Sequence, residues 1–423
     1  MEESIENYIH SQYFNTRVKI EKEFVVGNPE ERYVNQILYQ GTKYILKGFK
    51  IQLEHLNPEE KESAESFRLS LIQISEVFQE FYFARAASSI NHHIAVPLSL
   101  DYMIELAKDK ASFSYMHIQI VFEYGGISLN NLQPTTIKQT YNLMRQSASA
   151  LSMLHNLGIA HFDIKPANMV YDSKKDLLKI VDMGSAFGCS NRNRLSATTV
   201  NLDGKVRSAT PEFAPPEVVL MERELSKNLE LSLSLPAIDV YCWAMTFFTT
   251  LTDKKNIDLR KYFTKYKAGS EKDYNGFMKV VEISFGTVKP KNSKEEELMT
   301  VITNLLTRAL QYKPKERPII KDAIREMKEF ERDKKYTLDY SNTKLEHNKS
   351  ILKLLMDEDI DCSLNADNEE EIKAKSPVVD DIPDKSVKLS CNHGVSKDQV
   401  KSVEKLSKKY KDELKKVQGI FNT

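Results

Sequence analysis

Strand-like runs dominate the first part of the chain. VKIEKEFVV, RYVNQILYQ and KYILKGF, within residues 18–50, are rich in β-branched and aromatic residues. They are broken by GNPEE and by Gly41–Thr42, which carry turn chemistry. The period then changes. Phe67, Leu71, Ile74, Phe78 and Phe81 recur at steps of three and four, so a helix is expected near 63–90. Two more strand-like runs follow, IAVPLSLDYM and HIQIVFEY, the second ending at Gly125–Gly126.

Beyond that point the pattern is helical. Met144, Ala148, Leu151 and Leu154 form one stripe of a long helix between Thr136 and Asn156. Helices dominate again from 210 to about 331, punctuated by Pro211, Pro215, Pro216, Pro236, Pro314 and Pro318. A break near 124–128 therefore separates a small β-rich lobe from a larger, mostly helical one, an α+β arrangement. After about residue 335 the core signal fades into an acidic and polar stretch expected to be disordered. The last segment differs. Ser396 with Gln399 forms a capping box, Val403, Leu406, Tyr410, Leu414 and Val417 form a stripe flanked by lysines, and Gly419 is a natural stop. A basic amphipathic helix is expected there.

Charge and cysteine usage narrow the function classes. The 423 residues carry 60 basic and 60 acidic side chains, so no global field points to nucleic acid or to an anionic membrane. Cys189, Cys242, Cys362 and Cys391 stand far apart with no C-x-x-C pair, against a disulfide scaffold or a zinc site. MEESIENYIHSQYF has no apolar signal region, and VYCWAMTFFTTL (240–251) is too short to span a bilayer. The expectation is a soluble cytoplasmic protein, with the nucleus also open, and without a transmembrane segment or a nucleic-acid partner.

Candidate chemistry lies in GIAHFDIKPANMVYD, residues 158–172. NMVY and LLKIV flank the turn-like DSKKD and read as a hairpin. Asp163 and Asn168 lie before it and Asp182 just after, so three oxygen-bearing side chains come to one edge of a small sheet. Phosphoryl transfer needs such parts: a carboxylate for the attacking hydroxyl, oxygen ligands for Mg2+, and cations for the equatorial oxygens. Asp163, Asn168, Asp182, Lys165 and one further lysine would supply them.

Six segments carry a resemblance. HFDIKPAN resembles the loop H-R-D-x-K-x-x-N, DMG (182–184) resembles D-F-G, and YILK (44–47) resembles V-A-I-K. TPEFAPPE (210–217) resembles the segment ending in A-P-E, with Pro215 where Ala is usual. AIDVYCWAM (237–245) resembles the buried-aspartate helix and YKPKERP (312–318) the late arginine segment. One such match is weak; six in order are specific, and over residues 18–331 the chain is similar to eukaryotic protein kinases. The resemblance implies an α+β, bilobal protein-kinase fold with a small β-rich N-lobe and a larger, mostly helical C-lobe. It implies an N-terminal extension over 1–17, an N-lobe over about 18–122, a hinge at 123–126 and a C-lobe over 127–331. The tail over 332–394 and the helix over 395–423 follow.

The resemblance also implies ATP and Mg2+ as cofactors, protein substrates, and roles for single residues. Asp163 would be the catalytic base and Lys165 would stabilise the transferring phosphate. Asn168 and Asp182 would hold Mg2+. Lys47 would grip the α- and β-phosphates, paired with Glu80 or else Glu76. Gly27, Val34, Ile45 and Val170 would line the nucleotide site, with Phe122 as gatekeeper. The carbonyl of Glu123 and the N–H of Gly125 would meet adenine. Thr210, bridging Asp163 and Lys165, fits the serine/threonine type, and Ala167 hints against simple basic substrate motifs. Glu217 with Arg317, and Asp239, would be structural.

The chain also departs from the pattern. Of G-x-G-x-x-G-x-V, VVGNPEERYV (25–34) keeps only Gly27, and Glu30 and Glu31 fall where backbone should close over phosphates. Ile45 replaces the usual Ala over adenine. Phe162 stands where the family has the Arg that receives a phosphorylated activation loop, so the chain resembles the non-RD class. The alternatives are a pseudokinase acting as scaffold or allosteric regulator, and a small-molecule kinase of the aminoglycoside or choline type. The C-terminal helix would take a protein partner, an acidic surface or calmodulin.

Overall fold

The computed structural model describes residues 8–24, 31–53, 61–106, 113–132, 136–188, 195–196, 210–219, 232–252, 271–334 and 336. Gly27, Glu30 and the expected C-terminal helix lie outside them.

A six-stranded antiparallel sheet forms the first lobe. Its strands are β1 (Tyr8–Ser11), β2 (Thr16–Phe24), β3 (Arg32–Tyr39), β4 (Thr42–Gln52), β5 (Pro97–Leu106) and β6 (Phe113–Glu123). The order is β1-β2-β3-β4-β6-β5. Helix α1 (Lys61–Ser88) crosses from β4 to β5, over the stretch where the apolar period predicts a helix. β3 and β4 pair from Arg32↔Phe49 to Tyr39↔Thr42 around the two-residue turn Gln40–Gly41. Both turn residues have positive φ, +48° and +77°, which fits the strand twist of a tight hairpin.

The pattern did not predict β1. It pairs with β2 and is also held across the sheet by the Gln119 side chain of β6, which donates to the His10 carbonyl (3.0 Å) and accepts from the Gln12 N–H (3.0 Å). A second small core forms on this outer face: Val18, Ile37, Leu46 and Val121, ringed by Ile9, Phe14, Tyr39 and Tyr44. Tyr33 lies on the same face, and a Cβ at Gly48 would fall inside its ring, so any larger residue there would have to displace Tyr33.

The second lobe is helical, so the protein has a bilobal α+β fold. Its helices are α2 (Ile137–Asn156), α3 (Leu235–Leu251), α4 (Glu271–Thr287), α5 (Ser293–Ala309) and α6 (Ile320–Asp333). Thr136 caps α2, accepting from the Gln139 N–H at 3.0 Å. α2 is buried on most sides; Trp243 of α3 donates to Ser147 (2.9 Å), and Arg145 pairs with Glu331 of α6 (3.1 Å). The hairpin expected after the loop is present as β9 (Met169–Asp172) and β10 (Leu177–Ile180), with β7 (Ile127–Ser128) beside β9. Short strands β8 (Ile159–Ala160) and β11 (Phe187–Gly188) pair with each other, as do β12 (Leu195–Ser196) and β13 (Ser232–Leu233). Among the described residues no helix is long and apolar enough to cross a membrane.

Two of the joints between the lobes are made by main chain. One joint is the chain at 123–126. The other is the segment after α1, which hydrogen-bonds β10: Ile180 N–H to the His93 carbonyl (2.7 Å), Ala95 N–H to the Ile180 carbonyl (3.0 Å), and His93 Nδ1 with the Leu178 carbonyl (2.7 Å). Burial, with some repulsion from His92, pushes the His93 imidazole down to about 3. The unfolded chain therefore takes up a proton near pH 6.5 that the folded chain refuses. This contribution to stability is complete above pH 6.5 and falls by about 1.4 kcal/mol per pH unit below it, until about pH 3. His93→Asn keeps a donor for Leu178 without titrating. Its melting temperature should fall less between pH 7 and pH 5 than that of the wild type; equal falls would contradict this reading.

Candidate active site

The loop after β8 is shaped by Asp239, a fully buried residue near the start of α3. Its carboxylate accepts from the N–H groups of His161 and Phe162, both at 2.8 Å, and contacts His155 Nε2 at 2.9 Å. Phe162 is buried and takes φ +68°, a left-handed conformation that a non-glycine residue keeps only when its surroundings dictate it. The bond to Asp239 and an edge-on contact with Phe187 (5.0 Å between centroids) supply that constraint. His161 contacts the Val181 carbonyl through Nε2 (3.0 Å) and accepts the Asp163 N–H at Nδ1 (3.3 Å).

Asp163 is the centre of a closed polar cluster. Its Oδ1 accepts from the Thr210 hydroxyl (2.7 Å) and the Thr210 N–H (3.0 Å). Its Oδ2 pairs with Lys165 Nζ (2.7 Å) and accepts from Asn168 Nδ2 (3.1 Å). Lys165 also donates to the Thr210 hydroxyl at 2.6 Å, so this hydroxyl bridges the aspartate and the lysine. Asn168 donates to the Asp163 carbonyl as well (2.9 Å), which fixes its amide and leaves Oδ1 as the atom to offer a cation.

A second cluster lies on the sheet side. Lys47 Nζ pairs with Glu80 of α1 and with Asp182 Oδ1 (2.9 Å). Burial opposes the Lys47 charge, but Asp182 and Glu80 outweigh it and hold its pKa above the ordinary lysine value. Asp182 is likewise opposed by burial; Lys47 and Arg32 hold it well below the usual carboxylate range. Gln79 donates to the Ala186 carbonyl (2.5 Å), tying α1 to the segment after Asp182.

Pairing aligns the remaining lining residues. Val34 faces Lys47, and Ile45 faces Phe122. Lys47 Nζ lies 5.6 Å from the Phe122 ring centroid. Gly125 packs on Val170: an added Cβ would come within 2.6 Å of Val170 Cγ2. The Glu123 carboxylate is committed to Lys179 and to the Val96 N–H (2.8 Å). Of the sequence-predicted site residues, all but Gly27 are described, and Glu80 is the α1 carboxylate that meets Lys47. Arg32, with Nη2 3.9 Å from Asp182 Oδ1, belongs to the site but was passed over by the motif reading. Its only signal in the sequence is a cation inside a segment where glycine is expected.

Two polar clusters thus lie where the lobes meet, Asp163–Lys165–Asn168–Thr210 and Lys47–Glu80–Asp182. The sequence is 24% identical over 202 residues to "Serine/threonine-protein kinase ArnS" of Sulfolobus acidocaldarius, a match covering 43% of this chain and 29% of that protein. It is 28% identical over 200 residues to "Probable casein kinase II subunit alpha homolog" of Encephalitozoon cuniculi, covering 44% of this chain and 59% of that protein. An 83-residue segment is 39% identical to "Muscle M-line assembly protein unc-89" of Caenorhabditis elegans, 19% of this chain and 1% of that protein. The chain therefore spans less than two thirds of each of these relatives. The sequence profile of the family described as "Protein kinase domain" matches residues 89–327, more than half of the chain. With the bilobal fold and the two clusters, that match makes the chain a member of the protein kinase family.

Proposed function

We propose that the chain transfers the γ-phosphate of Mg-ATP to serine and threonine hydroxyls of proteins. The observation that carries this reading is the Asp163–Lys165–Thr210–Asn168 cluster, closed by direct hydrogen bonds. Asp163 orients the acceptor hydroxyl and takes its proton. Lys165, at the same carboxylate, offers charge to the transferring phosphoryl group. Lys47, kept charged by its carboxylate neighbours, grips the nucleotide phosphates. Val34, Ile45 and Val170 enclose adenine beside the 123–125 hinge.

The residues also fit magnesium. Mg2+ keeps several waters and takes one or two protein oxygens plus substrate phosphates, so Asn168 Oδ1 and an ionised Asp182 suffice. When bound, the metal neutralises charge developing on the phosphate oxygens. The serine/threonine class is supported by Thr210 bridging to Lys165 and by the name of the Sulfolobus relative. Retention of Asp163, Lys165, Asn168, Asp182 and Lys47 favours an enzyme over a scaffold. Incubated with labelled Mg-ATP, the chain should label serine and threonine in generic protein substrates, and neither aminoglycosides nor choline. Labelling of the small molecules alone would refute the proposal.

Control follows from Phe162. An apolar ring on Phe187 offers nothing to a phosphate, so activity needs no phosphorylated activation loop. Alanine at Ser196, Thr198, Thr199 and Ser208 together should leave phosphate transfer within about threefold of wild type, since none of these hydroxyls then has to carry a phosphate for activity. A collapse of transfer would contradict this non-RD reading.

A further inference from the structure

One more residue can be assigned in this cleft, on the footing of the nucleotide-site reading. Arg32 opens β3 beside the segment that lacks the expected glycines. Set from Gly27 to Val34, the pattern G-x-G-x-x-G-x-V places its last glycine on Arg32. In the hairpin, Arg32 faces Phe49 and Val34 faces Lys47. Residues two apart on a strand share a face, so these four side chains stand together on the cleft side. The Arg32 guanidinium lies 5.4 Å from the Phe49 ring centroid, which positions its plane. Nη2 is 3.9 Å from Asp182 Oδ1, the outer limit of an ion pair, and that oxygen is already held by Lys47 at 2.9 Å. Nε is buried and has no hydrogen-bond partner among the described residues. The side chain as a whole is 41% exposed. Arg32 is thus a second cation over Asp182, weakly engaged, with donor capacity left over.

We infer that Arg32 binds phosphate oxygens of the nucleotide. Its planar fork of N–H donors matches phosphate geometry and does with a side chain what a glycine-rich loop does with backbone N–H groups. Its charge also offsets that of its chain neighbour Glu31, whose carboxylate would repel a polyphosphate.

The test is calorimetric titration of the full chain with Mg-ATP and, separately, with adenosine, which has the base and sugar but no phosphate. Arg32→Gln should weaken Mg-ATP binding about 10- to 100-fold and leave adenosine binding unchanged. Arg32→Lys should recover part of the loss, because charge returns without the fork. Unchanged or tighter Mg-ATP binding by Arg32→Gln overturns the inference and leaves the nucleotide site standing. An equal loss for adenosine also overturns it, as the residue would then act on the fold. A wild type that binds neither ligand removes the nucleotide-site reading itself, and the role of Arg32 with it.

Discussion

Asp163→Asn is expected to lower phosphate transfer about 10²- to 10⁴-fold, the range for losing a positioned general base. Mg-ATP affinity should stay within about threefold of wild type, because the lost interaction serves the transferring step and not the bound nucleotide. The split follows from geometry. Both Asp163 oxygens are engaged: one by the Thr210 hydroxyl and N–H, the other by Lys165 and Asn168. An amide of the same shape keeps one acceptor oxygen but turns an NH₂ toward a donor on the other side. It also removes the charge that faces Lys165 and the group that would take the acceptor's proton. Lys47, Asp182 and the hinge are untouched by the change. Steady-state transfer and calorimetric Mg-ATP titration on the same two proteins separate the effects. A parallel fall in both would move Asp163 from the transfer step to nucleotide binding.

Arg317→Ala should produce the largest loss of stability. The guanidinium forms a two-pronged pair with Glu217, at 2.6 and 2.8 Å. It also donates to the carbonyls of Gln311 (2.8 Å), Tyr312 (2.9 Å) and Ala237 (3.2 Å), and lies 4.9 Å from the Tyr241 ring centroid. Truncation strands the Glu217 carboxylate and three carbonyl acceptors together. Removing one partner of a buried pair costs about 3–5 kcal/mol. For a domain of this size that lowers the melting temperature by roughly 10 °C. Glu217→Ala should cost less, because Arg317 keeps three carbonyl partners. Thermal unfolding ranks the two variants, and the reverse order would contradict the account.

Much of this architecture is legible in sequence where the determinants are local. The β9–β10 hairpin follows from DSKKD between two apolar runs, and in the fold Asp172 Oδ1 accepts the Lys174 N–H to form that turn. The α2 stripe predicts the helix, and its residues Met144, Ala148, Leu151 and Leu154 are all fully buried. The bridging of Asp163 and Lys165 by Thr210 follows from the kinase resemblance and reappears as direct hydrogen bonds. Long-range partners were not legible in the same way. β1 is four residues with a weak apolar pattern, and Gln119, which tethers it, lies 107 residues beyond Gln12. The contact between Arg32 and Asp182 depends on how β3 sits over the cleft, so the sequence offers only a departure from glycine. Phe162 reads as a missing arginine until its ring is found against Phe187.

The most direct measurement is transfer of labelled γ-phosphate from ATP to protein by the wild-type chain, at saturating nucleotide, with and without Mg2+. Labelled phosphoserine and phosphothreonine should form, and should disappear when the metal is chelated. Saturated Mg-ATP binding with no label above background would contradict phosphate transfer by this cleft and make the chain a nucleotide-binding scaffold.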